Sequence, residues 1–108
     1  MSSEFWEVLT IYKINGNQRA SSQFIDDYHV IWKLVHNKMY SREVNDMFCE
    51  YVGADDGHDD LIDYIIWHGK GCVDKFLQDP SSVIPLAKNM SKHYGFDGDI
   101  NILQRIMH

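Results

Sequence analysis

The chain has 108 residues, 16 Asp and Glu against 10 Lys and Arg, and a formal net charge of −6 with neutral histidines. Scattered, outnumbered cations exclude sequence-independent binding to nucleic acid, which needs clustered Lys and Arg. A hydrophobic fraction of 44% excludes a disordered chain, and no apolar run reaches the length of a membrane span.

Met1 to Trp6 lacks the basic stretch and apolar core of a secretory signal, so a cytoplasmic location is expected. One helical domain over residues 1–108 fits this length.

The first helix is expected after Ser2 or Ser3, with Phe5, Trp6, Leu9 and Tyr12 as its apolar stripe and Asn15-Gly16-Asn17 as its stop. A second begins near Ser21 or Ser22. Its residues Phe24, Tyr28, Ile31, Trp32 and Val35 follow helical spacing, and Asn37 marks its end. Ser41 reads as the next cap, ahead of Val44, Met47, Phe48, Tyr51 and Val52, with Gly53 placed as a C-terminal glycine.

Ala54 to Asp60 then reads as a polar turn. It feeds Leu61, Ile62, Tyr64, Ile65, Ile66 and Trp67, which are apolar nearly all round, as in a helix at the centre of its domain. Gly69-Lys70-Gly71 reads as a junction. Cys72, Val73, Phe76 and Leu77 form a short stripe, and Asp79-Pro80 a cap followed by a first helical residue. The next stripe holds Val83, Leu86, Ala87, Met90 and Tyr94, closed by Gly95, with Pro85 tolerable only in the first turn. Asp99 can cap a last helix carrying Ile102, Leu103 and Ile106. The fold class expected is all-α, a compact bundle of about six to seven short helices.

Gly53, Asp55-Asp56-Gly57, Ile65-Ile66, Gly69, Phe76-Leu77 and Asp79-Pro80 with Ser82 keep the order and spacing of a known signature. Through them the chain resembles an uncharacterised, mainly bacterial family, the domain-of-unknown-function family 4240. Phe5-Trp6 also looks like the aromatic pair that opens the family domain. His58 stands where the family has Phe, Leu61 where it has an aromatic, Ile62 where it has Arg, and Tyr64 where it has Trp. The resemblance implies a helical fold and brings no activity with it.

Chemistry concentrates in Asp55, Asp56, His58, Asp59, Asp60 and Asp63. Helix capping and dipole complementation account for such carboxylates at a helix start. A rim that binds a protein partner, with an exposed Trp67 as its aromatic anchor, is the functional reading. A hard-cation site on Asp55, Asp56, His58 and Asp59 is the alternative, although the calcium-binding EF-hand frame is absent. Asp59 and Asp63, one helical turn apart, would repel without a cation. Cys49 and Cys72 read as buried thiols, and no nucleophile motif or phosphate loop occurs.

The function expected is therefore a non-enzymatic, acidic protein-binding domain without a cofactor. An inhibitor, immunity or anti-defence protein acting on a basic partner such as a nuclease fits the charge. The alternative is a metal-dependent enzyme or metal-binding regulator on the Asp55–Asp60 turn. Direct nucleic-acid or membrane binding is not expected, and self-association is compatible with the pattern.

Overall fold

Apolar residues every three to four positions produce a helical chain. The computed structural model describes residues 3–15, 20–52 and 55–92. In order these form α1 (Ser3–Asn15), α2 (Ser22–Met39), α3 (Arg42–Val52), α4 (Asp55–Trp67), α5 (Lys70–Gln78), a 3₁₀ turn (Pro80–Val83) and α6 (Ile84–Lys92). No strand occurs among the described residues, and no helix there is long and apolar enough to cross a membrane. The fold is an all-α bundle. The stops expected at Gly16-Asn17 and Gly95, the C-terminal glycine Gly53, Tyr94 and the Asp99 helix lie outside the described residues.

Ser21 caps α2 by accepting a hydrogen bond from the Phe24 N–H at 3.2 Å. The helix runs past Asn37 to Met39, because Met39 continues the buried stripe of Phe24, Tyr28, Ile31 and Val35. Ser41 is not the side-chain cap expected for α3. Its hydroxyl donates back to the Lys38 carbonyl at 2.8 Å, closing α2 instead. Asp79 behaves as expected, accepting from the Ser81 N–H at 3.2 Å with Pro80 in the first position. Pro85 sits in the first turn of α6, where its missing N–H leaves no helical bond unmade.

α4 lies at the centre and packs against α2, α3, α5 and α6. Leu61, Ile62, Ile65 and Ile66 are all buried, as an all-round apolar helix requires. Phe48 of α3 and Phe76 of α5 complete this part of the core, with ring centroids 6.4 Å apart. At the other end Phe5 stacks on Phe24 at 4.8 Å, and Tyr12 meets Phe24 edge-on at 4.9 Å, tying α1 across the start of α2.

Two departures bear on function. Residues 55–60 are not a turn ahead of α4 but its first turn and a half. Gly57 makes this possible: a methyl there would overlap the backbone carbonyl of Val52, so α4 can start against the end of α3 only without a side chain at that position. Cys49 is exposed instead of buried, because it points about 100° away from the Val44/Phe48 stripe, and its thiol lies 3.4 Å from the Asn45 Oδ1.

Candidate functional site

The extension of α4 back to Asp55 decides where the acidic residues go. His58 falls on the helix's inner face and is only 1% exposed. Its Nε2 donates to the Asn45 carbonyl of α3 at 3.3 Å, and its ring lies 5.7 Å from Tyr40. The rim role expected for His58 does not fit this position. Trp67 is also corrected. It is 9% exposed, with Lys13 Nζ 4.7 Å above its ring and 2.6 Å from its carbonyl oxygen. The α1 lysine covers the indole that the sequence suggested was open.

Asp59 and Asp63 do share one edge of α4, and α2 answers them with hydroxyls. Tyr40 Oη donates to Asp59 Oδ1 at 2.9 Å, and Tyr28 Oη donates to Asp63 Oδ1 at 2.6 Å. The pair expected to need a cation therefore has two phenol donors. Tyr28, Trp32, His36 and Tyr40 recur every fourth residue and build one ladder along α2. The His36 ring lies 4.9 Å from Trp32, nearly parallel to it, and 4.4 Å from Tyr40. Trp32, His36, Tyr40, Asp59 and Asp63 are all half-buried, and Asp60 is exposed beside them. The result is a seam of rings and carboxylates between α2 and α4, open along one side.

Burial pushes the Asp63 carboxyl pKa up. The hydrogen bond from Tyr28 opposes that shift, the negative charge of Asp60 adds to it, the Trp32 hydrogen bond opposes it, and Asp59 adds a smaller rise. Tyr28 is raised well above its ordinary value, first by burial and then by the Asp63 charge, so it stays a neutral donor. A carboxylate kept partly desolvated among like charges is the kind of group that marks functional sites.

The side chains of Asp55 and Asp56 lie outside the described residues. His58 and Asp59, the other two members of the metal alternative, turn to different neighbours, Asn45 and Tyr40. Among the described residues, no three His, Cys, Asp or Glu side chains gather as metal ligands would. Cys72 is half-buried, and its thiol pKa is raised by burial, an effect that Lys75 only partly opposes, so the reactive thiolate is disfavoured.

No family model, no curated protein and no solved structure matches the chain. The seam is thus read on its own chemistry. Its signal is partly visible in the sequence. Tyr28 and Trp32 lie on the α2 stripe, but His36 and Tyr40 continue the four-residue spacing beyond the expected core residues. The i, i+4 pair of Asp59 and Asp63 is visible, whereas its pairing with two tyrosines on another helix is not.

Proposed function

We propose that this chain is a non-enzymatic protein-binding domain that recognises a basic partner surface along the α2–α4 seam. One observation carries the reading: Asp59 and Asp63 stand half-buried one turn apart on α4 with Asp60 exposed beside them, so their like charges repel even though Tyr28 and Trp32 donate to Asp63. A cationic side chain from a partner would relieve that repulsion, and the half-buried rings of Trp32, His36 and Tyr40 offer apolar area beside it. Asp60 stands at the open edge. His58 supports the seam from inside, its ring against Tyr40. The net charge of −6 would steer a basic protein toward it.

Inhibition of a basic enzyme, such as a nuclease, by an immunity or anti-defence protein is the biological form that best suits this chemistry, by analogy. A relation to the domain-of-unknown-function family 4240 belongs to the same proposal. It is supported by Asp55-Asp56-Gly57 and the residue order that follows.

The test is affinity capture at low ionic strength with wild type and with an Asp59→Asn, Asp60→Asn, Asp63→Asn variant. Asn keeps an oxygen that can accept the tyrosine hydroxyls, so the melting temperature should hold. A specific basic protein should be retained by wild type, released by added salt, and lost by the variant. Equal capture by both proteins would overturn the reading.

A further inference from the structure

The solvent face of α2 points away from this seam and carries a second feature. Asp26, Val30, Lys33 and Asn37 recur at i, i+4, i+7 and i+11 and are all exposed, with Leu34 flanking them. Val30 is 59% and Leu34 45% exposed, in the middle of an 18-residue helix anchored by its other side. Neither Asp26 nor Lys33 has an ion-pair partner among the described residues. They cannot pair with each other, because seven residues of helix separate them by about 10.5 Å.

The charges are ordered along the stripe, with the acid before Val30 and the base after it. We infer that this face binds a second copy of the chain, with the two α2 helices antiparallel about Val30. A parallel copy would set Asp26 against Asp26 and Lys33 against Lys33. An antiparallel copy sets Asp26 of each chain against Lys33 of the other, and the two-fold axis makes that pair twice. The same operation brings Val30 against Val30 as the apolar centre of the contact and sets each Leu34, about 6 Å along the helix from the axis, at the level of the other copy's Asp26. The face lies on a helix that is already formed, so little backbone entropy is lost on pairing. This pairing does not depend on the basic-partner reading, because it uses the opposite side of α2.

Sedimentation analysis over a concentration series tests it, with each variant's melting temperature checked because all the substituted positions are exposed. Wild type should show a monomer–dimer equilibrium, and Val30→Asp should remain monomeric. Asp26→Lys and Lys33→Asp should each weaken self-association by about tenfold or more, because each turns both symmetric pairs repulsive. Mixing these two single variants should restore dimer. The lysine introduced in one chain then meets the aspartate introduced in the other, and the remaining native Asp26 and Lys33 still face each other. A wild type that stays monomeric at millimolar concentration overturns the inference. So does a dimer indifferent to Val30→Asp, or single variants that do not rescue each other.

Discussion

At Asp63, burial favours the neutral carboxyl, while the hydroxyl of Tyr28 favours the charged form. The folded-state pKa is raised above the unfolded value of 3.8, so the fold binds this proton more tightly than the unfolded chain does. The associated stabilisation is complete below pH 3.8 and is lost as pH rises through the raised folded value. Asp63→Asn should therefore keep or raise stability at pH 7 and flatten the stability profile in the mildly acid range, as urea titrations at several pH values would show. Tyr28→Phe should do the opposite at pH 7. It leaves the carboxylate one donor short and should cost about 1–3 kcal/mol, a deficit that shrinks as Asp63 takes up a proton on acidification. The double variant should lose less than Tyr28→Phe alone, because the stranded charge is gone.

Among the elements, the α3–α4 corner is the most constrained. Helix propensity alone would favour alanine over glycine at position 57 by about 1 kcal/mol. The Val52 carbonyl reverses that preference, since an added methyl would strike backbone that cannot turn aside. Gly57→Ala should lower stability by about 1–3 kcal/mol in chemical denaturation, through strain that moves α4 off α3. The same corner explains why an Asp-Asp-Gly-His run that reads as a loop is helical. Starting α4 at Asp55 lets His58 reach the Asn45 carbonyl and places Asp59 and Asp63 opposite Tyr40 and Tyr28.

For the whole molecule, α4, like α2, packs against four other elements, so its side chains bear on global stability. Ile66→Ala should cost about 2–5 kcal/mol, because a fully buried position cannot collapse around the lost methylenes. The loss should appear as one earlier cooperative transition, measured by circular dichroism and tryptophan fluorescence together. Removing the exposed Lys70 side chain, whose 2.7 Å pair with Asp74 is solvated, should instead be hard to detect in the same measurement.

The helical class, the stripes of α2 and α4, the start of α2 near Ser21 or Ser22, the Asp79 cap and the central place of α4 could be read from the sequence, because helix periodicity and capping are local. Three-to-four-residue spacing names the buried face wherever that face lies. The fate of the acidic run was decided only by tertiary structure. Periodicity could not show that Gly57 must fit under Val52, that His58 turns inward, or that Lys13 of α1 covers Trp67. Nor could it show that Tyr28 of α2 and Tyr40 at its C-terminal cap donate to Asp63 and Asp59. Those side-chain hydrogen bonds join residues 19 to 54 positions apart, and their energies depend on distances that no local pattern encodes.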